Sequence, residues 1–250
     1  MTNKYMFFIA NWKMYGDYKS LNSLDKVIKF TKSNKKFKNK IIYCPPYTLL
    51  NIFAKKFKKT IIDVGAQNCS QNENYGPHTG SINCRMIKDA GAKYVIIGHS
   101  ENRSKGDTND LINKKIKSAT KSNLKIIFCI GETLLERKKN ITHKILKKQI
   151  FTALSKVKNK KNILFSYEPV WSIGTGIIPK ISDLQKDINF ISSLIKKKYS
   201  LKKPIILYGG SVNDKNIMIL KEIKDISGFL VGGASIDPKK FIDIVKKTFN

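Results

Sequence analysis

The stretch FSYEPVWSIGTG, residues 165–176, decides how the rest of the chain is read. The apolar run Ile163-Leu164-Phe165 leads into a carboxylate, Glu168, and Pro169, Trp171 and the glycines Gly174 and Gly176 follow at once. A charge placed where a buried strand stops does not serve core packing, because an unpaired buried carboxylate is costly. It makes sense where several strands deliver their ends to one shared opening.

Working outward, seven further runs rich in Ile, Val, Phe and Tyr occur at Met6–Ala10, Ile41–Tyr43, Ile61–Val64, Tyr94–Ile97, Ile126–Cys129, Ile205–Tyr208 and Phe229–Val231, with Ile163–Ser166 as the eighth. They are nearly continuous in hydrophobicity, as strands buried on both faces of a parallel sheet are. Between them lie segments of helical period. Leu184, Ile188, Ile191 and Ile195 form one stripe, and Ile141, Ile145, Ile150 and Leu154 another. Asp237 and Pro238, ahead of Phe241, Ile244 and Val245, read as the cap and first turn of a closing helix. Eight strand–helix units in 250 residues predict an α/β fold, a (β/α)8 barrel filling residues 1–250 as a single domain. A doubly wound open sheet is the alternative.

The formal net charge of +30 points first to a polyanion partner. Yet only Arg85, Arg103 and Arg137 are arginines, and phosphate and base readers favour the bidentate arginine fork. The lysines are spread along the chain and read as solvated helix faces, so nucleic acid is not the expected partner. Cys44, Cys69, Cys84 and Cys129 form no CxxC pair and have no His at ligand spacing, which predicts neither a metal site nor a disulfide framework. The apolar run at the N-terminus breaks at Asn11, too short for a membrane span. A soluble cytoplasmic protein with reduced thiols is the expectation.

Polar residues gather at the predicted strand ends. Asn11 and Lys13 follow the first strand, His99 and Glu101 the fourth, Glu132 the fifth and Glu168 the sixth. Gly209-Gly210-Ser211 and Gly232-Gly233 follow the seventh and eighth. In a parallel barrel all carboxyl ends open on one face, so these distant residues would converge. The segment from Gln67 to Gly80 is polar and longer than an ordinary strand-to-helix loop, and needs either disorder or a partner to explain it.

The motifs ANWKM, AQNCS, YVIIGHSENR, CIGET, YEPVWSIGTG, YGGSV and FLVGGASI occur in this order over nearly the whole chain, and together they resemble triosephosphate isomerases. That resemblance implies the TIM barrel and an aldose–ketose isomerase of glycolysis and gluconeogenesis, which passes a proton between adjacent carbons of a triose phosphate through an enediol. It implies Glu168 as base, His99 as a neutral imidazole donating to the carbonyl oxygen, and Lys13 as fixed positive charge, with Asn11 beside it and Glu101 holding it in place. Backbone N–H groups of Gly174, Ser211, Gly232 and Gly233 would grip the phosphate, with a helix start after the last pair. No cofactor or metal is implied. Pro169-Val170-Trp171 would be the hinge of a lid whose tip runs from Ser172 to Gly176.

The resemblance also implies a homodimer, with the loop Gln67 to Gly80 reaching the partner and Thr79 near its site. Four positions depart from the family pattern. Ile177 stands where Lys is usual, and Pro179 stiffens the far hinge. Ser81 and Asn102 replace an acidic residue and an Arg that pair across the interface, so the charge is lost on both sides together. Two rivals are a polyanion-binding barrel without catalysis and another phosphate-gripping barrel enzyme, such as a Schiff-base aldolase, which needs a Lys late in a strand.

Overall fold

The computed structural model describes residues 4–250, so the first three positions of the expected 1–250 barrel lie outside the described residues. Eight strands follow in chain order: β1 (Met6–Asn11), β2 (Asn39–Cys44), β3 (Asp63–Ala66), β4 (Tyr94–Ile97), β5 (Lys125–Ile130), β6 (Ile163–Tyr167), β7 (Ile205–Tyr208) and β8 (Gly228–Val231). Every neighbouring pair is parallel, and β8 returns to β1, giving a closed barrel and not an open doubly wound sheet. The helices are α1 (Leu24–Ser33), α2 (Tyr47–Phe57), α3 (Cys84–Asp89), α4 (Ser100–Arg103), α5 (Asn109–Lys121), α6 (Leu134–Lys138), α7 (Thr142–Ala153), α8 (Ile181–Tyr199), α9 (Ile217–Leu220) and α10 (Pro238–Phe249).

The continuous hydrophobicity of the strands has a direct cause. Successive side chains point to opposite faces. Ile9, Ile42, Ile96, Ile127, Leu164, Leu207 and Leu230 meet inside the barrel, with Cys44, Tyr94 and Cys129. Their neighbours Phe8, Ala10, Tyr43, Ile97, Phe128, Phe165 and Val231 pack outward against helix residues such as Phe53, Ile116, Ile188 and Phe241. Both faces are dry, so neither face selects polar residues.

Closure depends on one close approach. A Cβ at Gly228 would stand 2.0 Å from the Phe7 carbonyl oxygen, so the register Phe7 to Gly228 across the seam requires glycine there. Asp237 caps α10 by accepting from the Lys239 N–H at 2.8 Å, with Pro238 in the first turn, as the sequence predicts.

Two elements differ from the sequence expectation. β3 runs over Asp63–Ala66, not Ile61–Val64. Its register against β2 pairs Ile42 with Asp63, which leaves Ile61 before the strand and more than half exposed. In α7 the buried stripe is Leu146, Ile150 and Ala153, while Ile141 and Ile145 are half-buried. The stripe Leu184, Ile188, Ile191, Ile195 on α8 is buried throughout.

The long segment after β3 is an ordered loop. The Ser70 N–H donates to the Ile82 carbonyl at 2.8 Å and closes its neck. Lys121 of α5 holds Glu73 at 2.6 Å, and short turns bond His78 to Gly76 and Ser81 to His78.

Candidate active site

A cavity of about 240 Å³ opens at the carboxyl ends of the strands, and Asn11, Lys13, His99, Gly174, Ser211, Gly232 and Gly233 line it. Glu168 and Glu101 stand behind that lining. Glu101 reaches the Lys13 ammonium, Oε1 to Nζ 2.6 Å, and Glu168 Oε2 lies 3.4 Å from His99 Nε2. The nine residues that the resemblance assigns to catalysis and phosphate binding are therefore gathered at one mouth. The added lining comes from Ile173, Val212 and Leu230, an apolar wall, and from Gly176, Gly209, Asn213 and Ala234.

Lys13 is held by its backbone. Its φ of 51° is left-handed, a conformation that costs a non-glycine residue about 1–3 kcal/mol. The Asn11 side chain accepts from the Lys13 N–H at 3.1 Å, and the Gln67 amide donates to the Lys13 carbonyl at 2.8 Å. The peptide units on both sides of Lys13 are clamped, which aims its ammonium across the mouth. Gln67 also donates to the Cys44 carbonyl at 2.8 Å and so ties the ends of β1, β2 and β3 together. Burial raises the Glu101 carboxyl, but the hydrogen bond from Lys13 outweighs it and holds the group below the usual carboxylate range.

His99 is the N-cap of α4. Its Nδ1 accepts from the Glu101 backbone N–H at 3.2 Å, so the ring proton resides on Nε2, the nitrogen that faces Glu168. Glu101 Oε2 lies 3.6 Å from the same Nδ1, beyond hydrogen-bond reach, while Oε1 of that carboxylate is committed to Lys13. The Glu168 carboxylate is buried, and neither of its oxygens has a hydrogen-bond donor among the described residues. Its lone pairs are unspent. Gly209 makes room for it, since a Cβ there would lie 2.6 Å from Glu168 Cγ.

The glycine-rich rim combines three segments, which follow β6, β7 and β8. Gly232 precedes a 3-10 turn, Gly233–Ser235, and the regular helix α10 begins only at Pro238, so the expected helix start is a single tight turn. Ser211 has a φ of 32°, and its hydroxyl accepts from the Gly176 N–H at 3.1 Å while donating to the Ser172 carbonyl. These two bonds latch the segment 169–177 onto the loop after β7. Ser172, expected at the tip, is instead fully buried, with its hydroxyl donating to the Ile177 carbonyl at 2.6 Å and lying 3.2 Å from the Tyr208 hydroxyl. The tip is Gly174 to Gly176.

Glu132 takes part in holding that segment. It is fully buried at the end of β5, and its Oε1 accepts from the Trp171 indole at 3.1 Å. Its Oε2 accepts from the Tyr167 hydroxyl at 3.1 Å. Burial pushes this carboxyl up, against the stabilising bonds from Trp171 and Tyr167. Sequence patterns mark Glu132 as a strand-end charge; they give no sign of the bonds from Gln67 to the Lys13 and Cys44 carbonyls or of the Ser172–Tyr208 contact, whose partners are remote in sequence. Among the described residues no group of three or more His, Cys, Asp or Glu is placed to hold a metal ion, and no helix is long and apolar enough to cross a membrane.

The family model described as triosephosphate isomerase matches residues 6–248. A triosephosphate isomerase from Thermodesulfovibrio yellowstonii is 41% identical over 244 residues, covering 96% of this chain and 98% of that relative. One from Yarrowia lipolytica is 37% identical over 243 residues, covering 96% and 97%. The crystal structure of triosephosphate isomerase from Bartonella henselae superposes with a TM-score of 0.89 at 32% identity, covering 98% of this chain and all of that one.

Proposed function

The chain belongs to the triosephosphate isomerase family and interconverts dihydroxyacetone phosphate and D-glyceraldehyde 3-phosphate, and we propose that Glu168 carries the proton between the two carbons. One observation supports this above the others: a buried carboxylate without a donor sits 3.4 Å from the protonated nitrogen of an imidazole, beside a cavity floored by an ammonium. In that arrangement the Glu168 carboxylate removes the proton from the carbon next to the carbonyl. The electron pair left behind forms the enediol, whose oxygen is met by the Nε2–H of His99. The same carboxyl then returns the proton to the neighbouring carbon while the hydroxyl proton passes from one enediol oxygen to the other, so that carbonyl and hydroxyl change places.

Lys13 supplies a fixed positive charge to the developing enediolate, Asn11 sets the backbone that aims it, and Glu101 positions its ammonium. The phosphate is assigned to the rim of Gly174, Ser211, Gly232 and Gly233, where missing side chains let backbone N–H groups approach an anion. The segment 169–177 serves as the lid, and its latch to Ser211 draws Gly174 over the phosphate. Without water the enediol phosphate is protected from losing its phosphate.

The chain acts as one catalytic unit and pairs with a second copy. Met14 is 94% exposed directly beyond the Lys13 strand end, and Tyr75 and Met86 are exposed on and beside the loop after β3, an apolar rim for self-association. Four free buried thiols are in keeping with a reducing cytoplasm.

Solvent-deuterium incorporation into glyceraldehyde 3-phosphate tests the assignment. Glu168→Gln should lower the exchange rate by a factor of about 1,000 or more while phosphate-ligand binding stays within a few-fold. Exchange at the wild-type rate would transfer the role to another group.

A further inference from the structure

Asp187 lies on α8, the helix that follows the lid, and is buried among the apolar stripe of Leu184, Ile188 and Ile191. A carboxylate on such a face needs partners, and it has three. Its Oδ2 accepts from Arg137 Nη1 of α6 at 2.6 Å and from the Tyr167 hydroxyl at 3.0 Å. Its Oδ1 lies 3.0 Å from Nε2 of His143, whose ring stacks on Phe190 with centroids 4.0 Å apart. Two of these partners also face Glu132. Arg137 Nη1 is 3.5 Å from Glu132 Oε1, the same oxygen that accepts the Trp171 indole, and Tyr167 has a single hydroxyl proton for two carboxylates.

The competition has a predictable winner. The guanidinium brings a full positive charge to the carboxylate where the indole N–H brings only a dipole, so an Arg137 free to turn would displace the indole from Glu132 Oε1. At present the Asp187 bond is the shorter by a wide margin, with Asp183 a further 3.8 Å anchor on Nη2. We propose that Asp187 is a positioning residue for the lid: by engaging Arg137 it leaves Glu132 Oε1 to Trp171, and so sets how firmly the lid shuts. This rests on the reading of the segment 169–177 as the lid of the isomerase. Asp187, Arg137 and Glu132 are absent from the cavity lining, and Trp171, which belongs to the lid segment, carries the effect towards the reaction.

The test compares Asp187→Asn, Arg137→Met and the double variant. Acrylamide quenching without substrate reads the clip itself, because the other tryptophan, Trp12, is 1% exposed and beyond the quencher's reach. Asp187→Asn should raise the quenching slope about twofold and lower kcat/KM about tenfold, mostly through KM. Arg137→Met alone should leave the slope at the wild-type value, and adding it to Asp187→Asn should recover most of both losses. A tenfold loss in Asp187→Asn that Arg137→Met deepens instead of relieving would overturn the proposal, as would a slope and kcat/KM unchanged in Asp187→Asn. If Asp187→Asn does not fold, Arg137→Met alone decides: a slope well above wild type overturns the proposal, and a wild-type slope supports it. A quenching pattern as expected with kcat/KM unmoved would keep the clip but sink its link to catalysis; failure of the Glu168 exchange test would leave the quenching result standing.

Discussion

Gly209 leaves Glu168 the space that it occupies. A methyl group there would meet Glu168 Cγ at 2.6 Å and Ser166 Oγ at 2.9 Å, so Gly209→Ala must push the carboxylate off its line to the substrate. A displacement on the order of 1 Å costs about a hundredfold in rate. The expected outcome is a kcat lower by about that factor, with the unfolding midpoint shifted by no more than about 5 °C; steady-state kinetics and calorimetry check it. Asn11, Lys13, His99 and Glu168 were legible as polar residues at the ends of apolar runs, which is a one-dimensional signal. The left-handed backbone of Lys13 was not, because Gln67, which helps to hold it there, is distant in sequence. Asp187 left a faint trace as a charge on an apolar helical stripe, but its partners Arg137, His143 and Tyr167 come from three other elements.

At the level of elements, β3 shows how tertiary register overrides local hydrophobicity. Ile61 is the more apolar letter, yet Asp63 opens the strand because it ties three strands at the amino end of the barrel. Its carboxylate meets Lys40 of β2 at 2.5 Å and Lys93, just ahead of β4, at 2.8 Å. Burial by itself raises this carboxyl, but the bonds from both lysines outweigh that and hold it below its ordinary value. A depressed carboxyl stabilises the fold fully above the ordinary carboxylate range and loses that contribution as pH falls through its folded value. Asp63→Asn should therefore cost about 1–2 kcal/mol in urea unfolding at pH 7. The gap from wild type should narrow as pH falls below the ordinary carboxylate value of 3.8 towards the lower value of the folded state. A gap that stays constant between those pH values would contradict the ion-pair account. The helices were easier to read than this strand, since a stripe such as Leu184 to Ile195 on α8 repeats over several turns, whereas β3 has only four residues.

For the whole molecule, the number and order of apolar runs were enough to foresee the barrel, because strands covered on both faces carry no polar alternation. The long loop after β3 left disorder and a partner both open, and its internal hydrogen bonds now give it a fixed shape. That shape, with Met14, Tyr75 and Met86 exposed around it, leads to an expected sedimentation mass of two 28.5 kDa chains at micromolar concentration. A mass of one chain would remove the dimer from the functional reading. The excess of lysine does not alter the architecture; some of its ammonium groups meet carboxylates in scattered ion pairs, such as those to Asp25, Glu73 and Asp107.

The seam between Phe7 and Gly228 has a bearing on biosynthesis. While the polypeptide is being made, β1 can dock on β2 early, but its other side offers bare amide and carbonyl groups until β8 has been synthesised. Loop-closure entropy grows only slowly with length, so waiting costs little thermodynamically. The penalty is kinetic: a ribosome stalled ahead of Gly228 would hold out an unfinished sheet to which a neighbouring nascent chain could bind in place of the missing strand.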